Sequence, residues 1–467
     1  MADIGTENLV SLNTLVFGSL EFLFWYLPVF VLLFYLAPAR WRAAVLFLGS
    51  IVLYGLGEPV YCFVLLGMTV VNYLFGLSLG HRKDLPEQDG KYRAILWSAI
   101  LCNVGLLIYF KVSSAFDSSF LMPLGISFYV FKSISYLVDV YRGKILAERS
   151  WVRVGAYLSL FFQVVSGPIA RYEVVERGFL GKKWNAVRLE AGLIKVIAGL
   201  AAKILIADRL GILWNDVQTI GFESISTPLA WLGMYAYSLQ LYFDFAGYSL
   251  MAVGIGQMLG FPGVRNFDFP YASRSVGEFF RRWHMTLGSW FKDYVYIPAG
   301  GNRQGTGKMI RNLFLVWLLT GFWHGRSLNF LVWGIVLGIL VVLEKVCFHA
   351  FLEKHKLLSH MYVLLAIPVT WMIFAIPELG EAGVYLLRLF PVAGQGVSVN
   401  RQDFYKEVTQ FWPVLAAGCL LCVPKVTRWL ERRRNSWWMK CALFLIFWFC
   451  VYRISVAVGN PFMYANF

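Results

Sequence analysis

The stretch SVGEFFRRWHMTLGSWFKDYVYIPAGGNR (275–303), followed by LLTGFWHGRSLNFLVWG (318–334), holds two histidines in matching settings, Trp283-His284 and Trp323-His324. Each lies between apolar runs long enough to enter a membrane. The chain has six histidines, and only these two combine membrane-compatible flanks with dense polar and aromatic chemistry. The rest reads as a hydrophobic body that holds this stretch in place.

That body is 58% hydrophobic and 15% charged, with a mean hydropathy of +0.61. A soluble domain is about 25% charged, so this is an integral membrane protein. Spanning a bilayer takes about 20 apolar residues in a helix. Apolar runs of that kind recur along the whole chain without a soluble insertion of domain size. The runs are continuous, not alternating, which favours helices over a β-barrel. The expected fold is an all-α polytopic helical bundle of roughly ten to twelve transmembrane helices with re-entrant or interfacial pieces. The whole chain, 1–467, reads as one membrane domain, with a polar lead at 1–14 and a core stretch at 270–334.

The formal charge of +15 would point to nucleic acid in a soluble protein. Here Lys and Arg fall in short loops, where the positive-inside rule accounts for them, and no basic soluble module exists to bind nucleic acid. The seven cysteines are scattered. Cys419 and Cys422 have a redox-like spacing but sit in an apolar run, and read as small buried hydrophobes. No cleaved signal peptide is expected.

Taken in order, apolar segments are expected at 16–36, 43–56, 60–79, 94–110 and 120–141. Arg40, Arg42 and the loop 82–93 should be cytoplasmic, which puts the N-terminus and the turn at Gly57 outside. Alternation then fails, because 154–170 is apolar but basic on both flanks. A re-entrant segment turning at Ser166-Gly167-Pro168 resolves this. Irregular backbone at membrane depth is tolerated when buried in protein or lining a cavity, so a cavity is expected there. Further apolar segments follow at 228–245, 248–259, 309–322, 328–348, 361–376, 411–423 and 439–458. Between them lies an external loop at 377–407, and both termini come out extracytoplasmic.

Asp244 is an ionisable group inside an apolar run, either functional or a buried structural carboxylate paired to an arginine or to backbone. Ser275-Val276-Gly277-Glu278 is a capping-box pattern that starts a helix. Phe280, Trp283, Leu287, Trp290 and Tyr294 continue it at helical spacing as one interfacial or re-entrant amphipathic helix, with His284 on the flank of the stripe. The run 300–308 fails as a phosphate loop: Asn302 replaces its first glycine, and Met309 follows Lys308 where a hydroxyl residue is needed. No metal framework and no nucleophile elbow are present. What remains is histidine as a base, able to take a proton from a hydroxyl and return it to a leaving group. That suits acyl transfer from a thioester to an alcohol. The alternative for His324 is a structural hydrogen bonder in a helix bundle. Gly325 beside it allows close approach of backbone or ligand.

These residues resemble the membrane-bound O-acyltransferases, in particular the bacterial branch typified by the membrane component of alginate O-acetylation. The two quoted runs carry the likeness. PLGISFYVFKSISYLVDVYRG (123–143), FFQVVSGPIARY (161–172), LQLYFDFAGYS (239–249) and NPFMYANF (460–467) extend it in order. The chain departs from the branch at Leu250, Gly288 and Arg326, and lacks the arginine often found just after Phe374 in the segment Trp371-Met372-Ile373-Phe374. The resemblance implies a bundle with a funnel or tunnel through the bilayer, with His324 as the main catalytic residue and His284 as a second polar residue nearby. It implies acetyl-CoA as a cytoplasmic donor substrate with no bound cofactor. It also implies an envelope polysaccharide acceptor, a periplasmic SGNH-type acetyltransferase partner, and a place in the bacterial inner membrane.

The expected function is therefore O-acetyl transfer through the membrane to an extracytoplasmic hydroxyl. His324 and His284 are the catalytic candidates. The binding candidates are Trp283, Trp323, Asp244, Tyr294, Asn302, Arg303, Arg326 and Asn329. Arg326 suits an anionic sugar or, equally, a lipid headgroup. Three alternatives stand beside this reading: D-alanyl transfer from a carrier protein to teichoic acid, a proton-coupled transporter using Asp244 and the histidines, and a scaffold for a periplasmic esterase-like partner with no activity of its own.

Overall fold

A computed structural model describes residues 18–80, 90–116, 122–165, 167–179, 183–391, 399–400 and 402–456. The polar lead at 1–14, most of the loop 82–93, Ser166 of the expected turn and the segment 460–467 lie outside the described residues.

Among the described residues six helices are long and apolar enough to cross a membrane: Ala39–Gly57, Tyr61–Gly80, Gly90–Ser114, Leu328–Lys354, Lys356–Ala375 and Trp437–Val456. Asp403–Cys422 and Pro424–Arg433 add a candidate pair bent by 84° at Pro424. Proline lacks the N–H and fits only the first turn of a new helix, so the break falls there. Other apolar runs counted toward roughly ten to twelve spans take different forms. The runs at 228–245 and 248–259 are one helix, Thr227–Met258. The run at 16–36 becomes a π-helical turn, Phe22–Tyr26, leading into Leu27–Leu36.

The described residues pack as two compact units. The first takes in residues 18–198, 248–265 and 451–456. At its centre is Ile126–Tyr141, buried on every side from 126 to 140. Gly125 begins this helix at φ 72°, and a Cβ there would strike the carbonyl of Val164. The region expected to re-enter is broken into Trp151–Ser159 and Phe161–Val164. Nine helical residues reach about 14 Å, against a hydrocarbon core of about 30 Å, so neither piece crosses it. Polar groups of this region bond one another. Lys132 Nζ donates to the Tyr157 carbonyl at 2.5 Å and to Gln163 Oε1 at 3.0 Å, and lies 4.7 Å from the centre of the Tyr157 ring.

The second unit takes in residues 199–247 and 266–450. Thr306–His324 and Leu328–Leu343 form a helical hairpin in it. Small residues let the two backbones meet. A Cβ on Gly321 would lie 2.5 Å from the Phe330 carbonyl, and one on Gly334 would lie 2.5 Å from that of Trp317. The stretch 377–407, expected as a loop, contains the helix Leu379–Arg388. Ala382, Tyr385 and Arg388 recur on its buried face, and Tyr385 donates to the Ala230 carbonyl at 2.6 Å. The cysteines also differ from expectation. Cys62 and Cys450 are buried, but Cys419 is exposed and Cys422 only half-buried, because their apolar helix presents them outward.

Candidate active site

The second unit brings His284 and His324 into one aromatic cluster. His324 is the last residue of Thr306–His324 and is buried. Its ring lies 4.5 Å from Trp323, 5.1 Å from Trp333 and 5.1 Å from Phe374, centre to centre. The Trp333 and Phe374 rings stand nearly perpendicular to it. Gly325 follows, and the Phe330 ring fills the space where its Cβ would be. Trp323 reaches both histidines, with its ring also 6.2 Å from His284.

The expected single helix over 276–294 is broken at His284. It becomes Val276–Arg282, then Met285–Phe291, then a π-helical turn, Lys292–Tyr296. His284 sits in the break with φ 44°, the left-handed region that few non-glycine residues adopt. The helix start is as read: Ser275 accepts from the Glu278 N–H at 2.9 Å. Glu278 accepts from the N–H of Arg274. A second cap comes from Glu344, whose carboxylate accepts from the N–H groups of Val276 and Gly277.

The break is held by the link before the helix. The Met285 N–H donates to the Asn266 carbonyl and the Asp268 N–H to that of Arg282, both at 2.9 Å. Asn266 Oδ1 also meets His284 Nδ1 at 3.1 Å. Phe245 stands edge-on to His284 at 4.7 Å. His284 lies outside the spanning helices, and burial pushes its imidazole well below the ordinary histidine range, so it is neutral at pH 7.

The binding candidates divide. Trp283 is buried, stacked on Phe279 and 5.2 Å from Trp371. Asn329 is buried one turn before Trp333 and donates to the carbonyls of Ile373 and Phe374 at 3.1 and 2.9 Å. Both belong to the histidine cluster. Arg326 is exposed in the turn after His324. Tyr294 is half-buried against Trp290. Asn302 and Arg303 are exposed before the start of Thr306–His324, whose 19 residues put about 28 Å between them and His324. Asp244 is ion-paired with Lys203 at 3.0 Å, and Lys203 also pairs with Asp208. That is a structural pairing, with a lysine where an arginine or backbone partner was expected, while the next residue, Phe245, touches His284. Among the described residues no group of three potential ligands is placed to hold a metal ion.

Sequence reasoning did not single out Asn266, Glu344, Trp333 or Phe374. Their roles depend on contacts across long separations. The only sign for Asn266 was an amide in a short link between aromatic-rich segments.

Residues 149–379 match the family model described as MBOAT, membrane-bound O-acyltransferase family. The chain is 36% identical to a protein of Pseudomonas fluorescens described as "probable alginate O-acetylase", over 79% of this chain and 74% of that one. It is 31% identical to a peptidoglycan O-acetyltransferase of Helicobacter pylori, over 86% and 84%. It is also 31% identical to a teichoic acid D-alanyltransferase of Bacillus subtilis, over 50% and 60%.

Proposed function

The chain belongs to the membrane-bound O-acyltransferase family, and from that premise we propose that it transfers acetyl from cytoplasmic acetyl-CoA to a hydroxyl of an extracytoplasmic envelope polysaccharide, directly or through a periplasmic partner. It is a multi-pass membrane acyltransferase; donor, acceptor and residue roles are our reading. On that reading it acts as one domain in the bacterial inner membrane with extracytoplasmic termini, and 270–334 is its catalytic stretch. The observation that carries the reading is the meeting of His284 and His324 around Trp323.

His324 takes the hydroxyl proton as the oxygen bonds to the thioester carbonyl carbon. The carbonyl electron pair moves onto oxygen, then returns as the carbon–sulfur bond breaks. The thiolate leaves and takes the proton from the imidazolium. A thiolate is a good leaving group, so a positioned base and a dry site suffice. Trp333, Phe374 and Trp323 supply the dry walls.

Acetyl is favoured over D-alanyl because the likeness to the two O-acetyl-transferring relatives covers more of both chains. The transporter alternative loses its main support, since Asp244 is committed to Lys203. The test is coenzyme A release from acetyl-CoA by lipid-reconstituted protein supplied with candidate polysaccharides. Release that persists in a folded His324→Ala variant would sink the assignment of the base.

A further inference from the structure

Asn266 Oδ1 accepts three hydrogen bonds: from the Thr286 N–H at 3.2 Å, from Thr286 Oγ1 at 2.8 Å, and from His284 Nδ1 at 3.1 Å. The chemistry of this contact fixes the direction of each bond. A backbone N–H can only donate, so the atom facing Thr286 is the amide oxygen and not the amide nitrogen. That oxygen can only accept, so His284 carries its proton on Nδ1. Nε2 is then the atom with the lone pair. It is buried and has no hydrogen-bond partner among the described residues. Most buried polar side-chain atoms of a structural kind find a partner, because an unmade buried bond is costly. Here one nitrogen is tied and the other left open, inside the cluster that holds His324.

We propose that Asn266 is a positioning residue that locks His284 as the Nδ1–H tautomer, so that Nε2 accepts a hydrogen bond from an O–H or N–H group of the substrate. The inference rests on the acyltransferase reading of the site and assigns a polarity within it. A lone pair at Nε2 cannot donate to the thioester oxygen, so His284 does not polarise that carbonyl. It holds a donor group of the substrate other than the reacting hydroxyl, such as a neighbouring sugar O–H or an amide N–H of the thioester, while His324 takes the proton of the reacting hydroxyl. The left-handed backbone at His284 belongs to the same device. With the Met285 N–H on the Asn266 carbonyl, it turns the ring back toward the amide.

The test uses full-length, lipid-reconstituted protein with ¹⁵N-labelled histidine. There are six histidines, and comparison with His284→Gln assigns the signal of interest. In the wild type at neutral pH, His284 should show a protonated Nδ1 and a bare Nε2. Asn266→Leu removes the acceptor. It should populate the other tautomer and slow acyl transfer by about 10²-fold, the scale of a misplaced reacting group. Asn266→Asp keeps an acceptor in place and should retain the tautomer and most of the rate. A wild-type signal with Nε2 protonated overturns the proposal, and so does an unchanged rate in Asn266→Leu. A locked tautomer in a protein that releases no coenzyme A with any acceptor supports the positioning role and counts against the acyltransferase reading alone.

Discussion

Glu344 accepts the N–H of Gly277 at 2.9 Å and also that of Val276, although the partners lie more than sixty residues apart in sequence. The amino terminus of the helix that leads to His284 is thereby fastened to the middle of the spanning helix Leu328–Lys354, which begins four residues after His324. A helix start has four N–H groups to satisfy, and an anion there also meets the positive end of the helix dipole. Glu344→Ala leaves two N–H groups without their acceptor, at about 1–3 kcal/mol each. Thermal unfolding in detergent should show that loss. Glu344→Gln keeps an acceptor and should recover much of the stability. Equal stability in all three proteins would refute the cap.

The hairpin crossing makes a second prediction. A Cβ on Gly321 would press on the carbonyl of Phe330, a backbone atom that cannot swing aside. Gly321→Ala should cost about 1–3 kcal/mol, typical of overpacking, and should lower turnover as His324 shifts. Gly307, on the same helix, has nothing within 4 Å of its Cβ position. Gly307→Ala should be neutral or slightly stabilising, because alanine is the better helix former. Melting temperatures of the pair decide it.

Lys203 serves two carboxylates, so its neighbours should respond unequally. After Asp244→Asn, Lys203 keeps Asp208. After Lys203→Met, both carboxylates lose their cation. The second change should cost about 3–5 kcal/mol, as for a buried pair broken from one side, and the first clearly less. Activity per folded molecule should be kept in Asp244→Asn. A selective loss of rate in that variant, at unchanged stability, would return Asp244 to the chemistry.

Arg303 and Arg326 flank opposite ends of Thr306–His324, about 28 Å apart. If the donor arrives on the loop side and the acceptor on the His324 side, their effects should separate. Arg303→Ala should raise KM for acetyl-CoA, and Arg326→Ala should raise KM for an anionic polysaccharide, each with kcat nearly unchanged. Both effects should shrink as salt rises, since exposed charges are screened over about 10 Å at 0.1 M. A matching rise in both KM values for either variant would contradict the separation.

The sequence made the helical membrane class, the Ser275 cap and the pairing of the two histidines legible, because each rests on local pattern or composition. It hid the break at His284. Phe280, Trp283, Leu287, Trp290 and Tyr294 keep a 3.6-residue rhythm through a point where the chain turns left-handed, and the cause lies eighteen positions back at Asn266. The helix Leu379–Arg388 was hidden differently. Two glycines and two glutamates in 378–383 read as loop, yet Ala382, Tyr385 and Arg388 bury one face. Tertiary contact outweighed propensity there. The partner of Asp244 was also out of view, because a lysine more than forty residues away is met only after folding.

The sealed helix Ile126–Tyr141 bears on biogenesis. Lys132 and Asp139 are both buried in it. Facing lipid at mid-membrane, each would cost about 2.5–3.5 kcal/mol. That helix therefore gains little by settling alone into the bilayer as it leaves the ribosome. Its lysine is satisfied by Tyr157 and Gln163, which are synthesised later. The first unit thus has an order of assembly written into it, in which the lysine of an early helix gains its hydrogen-bond acceptors only once the later segment has been made.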